Sequence, residues 1–149
     1  MMRIVLLDAG PLSQAIHPRP EQNRAILRWI SEMMMKGVEV SIPSISDYEV
    51  RRKLLHLNKT ASIERLDLLK RNIGCAEITD DVMIRAAEFW AAARKAGMPT
   101  AGDKALDGDV ILAAQADILA SSGIETIIAT ENVGHLSRYV KSDKWKNIS

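Results

Sequence analysis

Short runs of apolar residues alternate along this chain with longer stretches in which apolar residues recur every three or four positions. The runs at residues 4–7, 38–42 and 126–129 predict buried strands, and a weaker run at residues 75–78 predicts one more. The first run is apolar throughout and rich in branched residues, which is typical of a strand covered on both faces of a sheet.

The longer stretches predict helices. Between the first two strands, helical spacing is found at Ala25, Ile26, Trp29, Ile30 and Met33. Gly37 supplies a stop before the second strand. Ser46, followed three residues later by Glu49, forms the pattern of a capping box and predicts a helix to about Leu57. A helix over residues 62–72 is expected to pair with it.

The second half of the chain continues this alternation. Thr79 is predicted to cap a helix that ends at Gly97. Residues 98–105 are predicted to form a loop, and a further helix is predicted to begin near Asp107. Strands that alternate with helices indicate an α/β fold, in which a central parallel sheet carries helices on both faces.

Length and composition narrow this picture. A chain of 149 residues predicts one domain over residues 1–149, and a net charge of +1 by itself indicates neither nucleic acid nor membrane as a partner. The single cysteine, Cys75, is predicted to be a small buried side chain, which fits a reducing, cytoplasmic setting. The apolar residues after Arg3 are too few for a signal peptide or a membrane span, so we expect a soluble protein without membrane contact.

Three acidic residues stand where strands and helices meet. Asp8 directly follows the first strand, and Glu49 and Asp109 lie near the starts of predicted helices. In a parallel sheet the carboxyl ends of the strands share one edge, where open α/β folds bind their ligands. Three carboxylates that converge there repel one another, and their oxygen atoms favour Mg²⁺ or Mn²⁺. Such an ion lowers the pKa of its water, so the predicted chemistry is metal-assisted hydrolysis.

Each acid also has a purely structural interpretation. Asp8 precedes a Gly-Pro pair and is able to cap a turn. Glu49 is able to serve the backbone at the start of its own helix. Asp107 and Asp109 favour the positive end of a helix dipole, and Asp107 is the better candidate for a cap. The interpretation as a site therefore rests on the three acids together and on no single one.

Four segments, in their order and spacing, resemble the PIN-domain nucleases, particularly the VapC-like toxin ribonucleases of toxin–antitoxin pairs. They extend over nearly the whole chain, and they are Val5-Leu6-Leu7-Asp8, Ile42-Pro43-Ser44-Ile45-Ser46-Asp47-Tyr48-Glu49, Asp109-Val110-Ile111-Leu112-Ala113-Ala114-Gln115-Ala116 and Ala129-Thr130-Glu131-Asn132.

The resemblance implies a single PIN-like domain that binds Mg²⁺ or Mn²⁺ and cleaves RNA endonucleolytically. It makes Asp8, Glu49 and Asp109 the catalytic metal ligands, with Asn132 and Asp107 as further ligands. Thr130 is expected to supply a hydroxyl that orients a carboxylate or a water molecule. The resemblance also implies a homodimer and a small antitoxin protein that covers the acidic site.

The last segment departs from the family pattern. The family often has an aspartate where this chain carries His135, and Glu131 stands in a position that the family often fills with arginine. His135 predicts a weaker fourth metal ligand, and Glu131 removes a positive charge beside the site. The histidine favours an alternative, namely a catalytically weak or inactive PIN-like domain that binds RNA or a partner protein.

A phosphoryl-handling α/β domain is an alternative from another class. Receiver domains and haloacid dehalogenases also place an aspartate after a parallel strand. Gly10, however, stands where a dehalogenase would have its second aspartate, and the acidic pair of a receiver is missing from the first strand.

RNA binding requires cations near the acids. Arg51, Arg52 and Lys104 are predicted to contact phosphates, although a solvated helix face is the ordinary place for such charges. Aromatic residues make up 4% of the chain, so we expect phosphate contact to outweigh base stacking in recognition.

Overall fold

The structure, a computed structural model, describes residues 2–97 and 103–149, without the side chains of residues 103–105. The strands are β1 (Arg3–Leu7), β2 (Glu39–Pro43), β3 (Gly74–Ala76), β4 (Glu125–Ala129) and β5 (Ser142–Asp143). The helices are α1 (Ala9–Ala15), α2 (Pro20–Met35), α3 (Ser44–His56), α4 (Thr60–Asn72), α5 (Asp80–Lys95), α6 (Asp103–Ser121) and α7 (Val133–Leu136), and a short 3₁₀ turn spans Trp145–Asn147.

The five strands form one parallel sheet in the order β3-β2-β1-β4-β5. β1 lies at the centre and pairs with β4 over its full length, with Leu7 opposite Ala129. The chain first builds the sheet on one side of β1 and later returns to the other side at β4. The strand order therefore reverses between β1 and β4, which is where open α/β sheets bind ligands.

Alternate side chains of β1 face opposite cores, as the two-residue period of a strand requires. Val5 and Leu7 belong to a core shared with residues of α1, α2, α3 and α4. Ile4 and Leu6 pack with residues of α6 on the other face, and α5 packs against α6 from outside. The predicted α/β fold, with a parallel sheet covered by helices on both faces, is confirmed.

The predicted capping box of α3 is wrong. The helix begins at Ser44, immediately after β2, so Ser46 and Glu49 lie inside it. Pro43 is both the last strand residue and the extended residue that precedes the helix, so the chain needs no separate turn there. The Ser46 hydroxyl is buried and has no hydrogen-bond partner among the described residues.

Two further helix starts were predicted in the second half of the chain. Thr79 caps α5 as predicted, because its side chain accepts a hydrogen bond of 3.2 Å from the N–H of Val82. The backbone of α6 begins at Asp103, so Asp107 lies one turn inside the helix and does not cap it. Most of the predicted loop, at residues 98–102, lies outside the described residues.

The prediction that Cys75 is buried is wrong, because its side chain is exposed. Cys75 lies in β3, a three-residue strand at the edge of the sheet, where the helices do not cover it completely. Over residues 2–97 and 103–149, no helix combines the length and the apolar character needed to cross a membrane.

Arg51 joins α3 to α4. Its guanidinium donates two hydrogen bonds to Asp47, of 3.0 and 3.1 Å, and one of 2.7 Å to Asp67. Asp47 is buried, with a side-chain exposure of only 12%. The charge of Arg51 therefore compensates a carboxylate that is largely removed from water.

We expect Arg51→Gln to lower the free energy of unfolding by about 1–3 kcal/mol, because it removes the paired donors of a buried carboxylate. Lys70, whose Nζ lies 3.9 Å from Asp47 Oδ2, limits the loss. The control is Arg52→Gln at the exposed neighbouring position, which should stay within about 0.5 kcal/mol. Urea denaturation measures both variants, and equal losses would contradict a structural role for Arg51.

Candidate active site

Asp8 and Thr130 meet where the strand order reverses. Asp8 follows β1, and its N–H donates a hydrogen bond of 3.0 Å to the carbonyl oxygen of Ala129 in β4. Thr130 follows β4, and its N–H donates one of 2.9 Å to the carbonyl oxygen of Asp143 in β5. The backbone of three neighbouring strands thus holds the two residues side by side.

The Asp8 carboxylate uses both of its oxygens. Oδ1 accepts a hydrogen bond of 2.7 Å from the N–H of Ala9 and so caps α1, while Oδ2 accepts one of 2.7 Å from the Thr130 hydroxyl. The buried Thr130 hydroxyl oxygen accepts in turn from the N–H of Asn132 at 2.8 Å. Because an ionised carboxylate has about four acceptor positions, these contacts hold Asp8 in place and leave room for a ligand.

Glu49 reaches the same region from α3. Its half-buried carboxylate lies against Gly108 in α6, so closely that a Cβ built on Gly108 would lie 2.8 Å from Glu49 Oε1. The carboxylate therefore packs on the backbone of α6 one residue before Asp109.

Asp109 contributes its carboxylate from α6. The Nδ1 atom of His135 lies 3.7 Å from Asp109 Oδ2, a contact that is an ion pair only when the histidine is protonated. His135 is placed there by α7, which follows β4. The residue that departs from the family pattern therefore lies beside one of the three acids.

The three acids influence one another electrostatically. Burial raises the pKa of Glu49 above its usual range, and the charges of Asp8 and Asp109 raise it further against the opposing effects of Arg52 and Lys53. Burial also raises the pKa of Asp109, and the charge of Asp8 adds to this, while His135 and Arg138 lower it. The three carboxylates thus concentrate negative charge in a region where Glu49 and Asp109 are partly removed from water.

The chemistry of these side chains fits a hard divalent cation, because carboxylate oxygens are its preferred ligands and a cation would relieve their repulsion. Within the described residues, no three His, Cys, Asp or Glu side chains stand as a ready set of direct ligands. Mg²⁺ usually keeps several waters and takes only one or two carboxylates. The arrangement therefore fits an ion that is held partly through water, or one that draws the side chains inward.

Comparison with known proteins identifies the fold. No protein-family model matches this sequence, and no curated protein matches it. The structure is similar to a chain of VapBC2 from Rickettsia felis bound to a DNA fragment from its promoter, with a TM-score of 0.71 and 17% identity over 95% of this chain and 98% of that one. It is also similar to VapBC-1 from nontypeable Haemophilus influenzae (TM-score 0.71, 18% identity, 97% and 99% covered) and to FitAcB from Neisseria gonorrhoeae (0.68, 20%, 97% and 99%). The chain has a PIN-like fold.

Asn132 and Asp107 were predicted as further metal ligands, and they occupy different places in this PIN-like fold. Asn132 is exposed and is tied to the site through its backbone, which contacts Thr130. Asp107 is exposed and lines a groove between α5 and α6 together with Met83 and Trp90. The structure therefore connects Asn132 to Asp8 through Thr130 and places Asp107 in a different groove.

The predicted cations also differ in position. Arg52 is exposed, close enough to Glu49 to lower its pKa, and stacked over the Tyr48 ring at 5.1 Å. Arg51 faces Asp47 and Asp67 instead. The side chain of Lys104 lies outside the described residues.

A groove of about 740 Å³ extends from Glu49 along α3. Its walls combine apolar side chains, among them Ile16, Val50, Leu54 and Leu57, with the cations Arg19, Lys53 and Lys59. The groove leads from Glu49 to a surface that is able to attract an anionic chain.

Three residues of the site were missed from the sequence. Gly108 permits the approach of Glu49, Arg138 lowers the pKa of Asp109, and the partly buried Tyr139 has a pKa raised by burial and by the charge of Asp109. The only sequence signal for any of them is the glycine in a stretch that otherwise favours a helix.

The raised pKa values predict how stability depends on pH. An acid whose pKa is higher in the folded than in the unfolded state holds its proton more tightly when folded, so its contribution to stability falls as pH rises from the usual carboxyl range through the raised pKa. We therefore expect metal-free wild type to lose stability relative to Asp109→Asn as pH rises through this window, because the variant lacks one of the mutually repelling charges.

Urea denaturation in EDTA between pH 4 and 7 measures this difference. Asp143→Asn is a control of opposite sign, because hydrogen bonds from Asn147 and the Lys144 N–H lower the pKa of Asp143. Relative to that variant, wild type should keep a nearly constant advantage over this pH range, because the lowered pKa of Asp143 lies below it. An Asp109→Asn difference that does not change with pH would contradict the electrostatic description of the site.

Proposed function

We propose that this protein is a metal-dependent endoribonuclease that hydrolyses RNA phosphodiester bonds with the help of Mg²⁺ or Mn²⁺. The proposal is supported by the mutual electrostatic influence of Asp8, Glu49 and Asp109 near the switch point of a PIN-like sheet. The raised pKa values of Glu49 and Asp109 support the proposal, because perturbed carboxylates cluster at functional sites.

Each residue has a defined task in this proposal. Thr130 donates its hydroxyl hydrogen to Asp8 Oδ2 and so keeps that carboxylate in one orientation. Asp8, Glu49 and Asp109 would hold the ion, and Asn132 would assist. The ion, when bound, supplies positive charge at the phosphate and lowers the pKa of the attacking water.

Glu49 also suits proton transfer. Its carboxylate is only half-buried, so a water molecule is able to reach it and give up a proton to it. Three cations lower the pKa of Glu49 or Asp109, namely Arg52, Lys53 and Arg138. They would contact the phosphates of the RNA backbone.

Purified wild type should cleave RNA with Mg²⁺ or Mn²⁺ and stop when EDTA is added. Asp8→Asn and Asp109→Asn should each reduce the rate by roughly 100-fold or more, because an ion of this kind supplies several kcal/mol of transition-state stabilisation. Asp107→Asn, at the acid that lies away from the site, serves as the matched control and should keep its activity. Sequencing of RNA 5′ ends identifies the cleavage sites.

The same experiment tests the alternative function. The histidine beside Asp109 and the lack of a ready ligand set in the described residues favour a PIN-like domain that binds RNA or a protein without cleaving. Wild type that binds RNA, melts at the same temperature with and without millimolar metal, and produces no new 5′ ends would establish this alternative. Metal bound at about 100 times its dissociation constant should otherwise raise stability by roughly 2.7 kcal/mol.

Salt dependence tests the RNA contacts. In an Asp8→Asn background that prevents cleavage, Lys53→Gln and Arg52→Gln should each lower the slope of log affinity against log salt by roughly 0.7, because each removes one phosphate contact from a single strand. Arg51→Gln is the contrast, since Arg51 is held by Asp47 and Asp67 and should leave the slope unchanged while the protein stays folded. A slope lowered only by Arg51→Gln would assign the phosphate contact to that residue.

We also propose that a small antitoxin protein binds this chain and that the chain forms a homodimer. The similar structures are named VapBC2 and VapBC-1, and these paired names support the proposal of a bound partner protein. Exposed apolar side chains on α5, at Met83, Ile84 and Trp90, provide surface that an interface would cover. The single cysteine of the chain fits a reducing compartment, and on this ground we propose a cytoplasmic location.

A further inference from the structure

Among the glycines described within helices, Gly108 is the one at which another chain segment approaches the backbone too closely for a side chain. A Cβ at this position would lie 2.8 Å from Glu49 Oε1, 3.4 Å from Cδ and 3.7 Å from Oε2. Real Cβ atoms essentially never approach another atom below 3.0 Å, and ordinary contacts begin at 3.4 Å. Any side chain at position 108 therefore moves the Glu49 carboxylate.

Glycine is unfavourable inside a helix, because it loses more conformational freedom on folding than alanine does. Gly108 has no positive φ that would require glycine for the backbone itself. The close approach of Glu49 is thus the local reason for a glycine in this turn of α6.

We propose that Gly108 is a positioning residue, which acts through Glu49 by letting its carboxylate lie on the α6 backbone next to Asp109. This inference rests on the proposed function where it concerns cleavage, and on geometry alone where it concerns the contact. The atom that would be struck is the far end of a flexible side chain, so an added methyl group displaces Glu49 and leaves the helix intact.

The size of the displacement is set by the contact distances. Restoring an ordinary contact of 3.4 Å from 2.8 Å requires a shift of about 0.6 Å. Functional groups need to be held within about 0.5 Å, and a misplacement of about 1 Å can cost roughly 100-fold in rate. We therefore expect Gly108→Ala to cleave RNA roughly 10- to 100-fold more slowly than wild type and to bind Mn²⁺ more weakly, without loss of thermal stability.

Gly134→Ala is the matched control. Gly134 also lies in a helix, and a Cβ added there meets no described atom within 4 Å. This variant should keep the cleavage rate and the Mn²⁺ affinity of wild type. Equal losses in both variants would show that any added methyl group in this region is harmful and would overturn the proposal.

A double-mutant cycle tests the contact through function. Glu49→Asp shortens the side chain by one methylene, which makes room for the methyl group that Gly108→Ala adds without removing the carboxylate. Gly108→Ala should therefore reduce cleavage and Mn²⁺ affinity clearly less in the Glu49→Asp background than in wild type. If Gly108→Ala reduces cleavage and Mn²⁺ affinity by the same factor in both backgrounds, the two residues act independently and the inference is overturned.

A second cycle tests the contact without any activity or metal. In metal-free protein, Gly108→Ala should raise the melting temperature by a few degrees, about 2–4 °C, in a Glu49→Ala background, where the helix gains from alanine and nothing is displaced. In wild type the gain should be smaller, because Glu49 has to move. Equal gains in melting temperature in both backgrounds would show that the added methyl group does not displace Glu49, which would overturn the inference. If wild type neither cleaves RNA nor binds Mn²⁺, the proposed function fails, and this second cycle still decides the role of Gly108.

Discussion

The parallel pairing of β1 with β4 is the interaction on which the rest of this structure depends. It joins residues more than 120 positions apart and runs in register from Arg3 opposite Glu125 to Leu7 opposite Ala129. The register decides which residues leave the sheet together, so it places Asp8 beside Thr130 and allows the hydrogen bond between them. A slip by one residue would turn Ile127 and Ile128 toward the wrong cores and separate the two site residues at the same time.

The acids at this edge oppose the stability of the fold. Glu49 and Asp109 are partly removed from water and lie near Asp8, so each is harder to ionise than in solution. The sheet and its two cores tolerate this cost because hydrogen bonds and packing elsewhere hold the backbone in place. An electrostatic cost of this kind is expected at a site whose charges act on a ligand.

Neighbouring arginines on α3 show how the same residue type serves the fold and the site. Arg51 points toward α4 and neutralises the buried Asp47, whereas Arg52 is exposed and acts on Glu49. Successive positions on a helix are separated by about 100°, so adjacent residues face different surroundings. The sequence shows two equivalent cations here, and only the packing of α3 against α4 distinguishes them.

The sequence by itself determined the class of fold and the place of Asp8 at the end of the central strand, because both depend on local signals. Apolar runs that alternate with helical periodicity require a covered parallel sheet, and an acid directly after a central strand lies at its carboxyl edge wherever the strand is placed. It misjudged the start of α3, the exposure of Cys75 and the position of Asp107, since these depend on neighbours that the local pattern does not contain. Tertiary structure alone decided that Glu49 rests on Gly108 and that His135 lies beside Asp109, because such contacts join elements that only the packed helices and the strand register bring together.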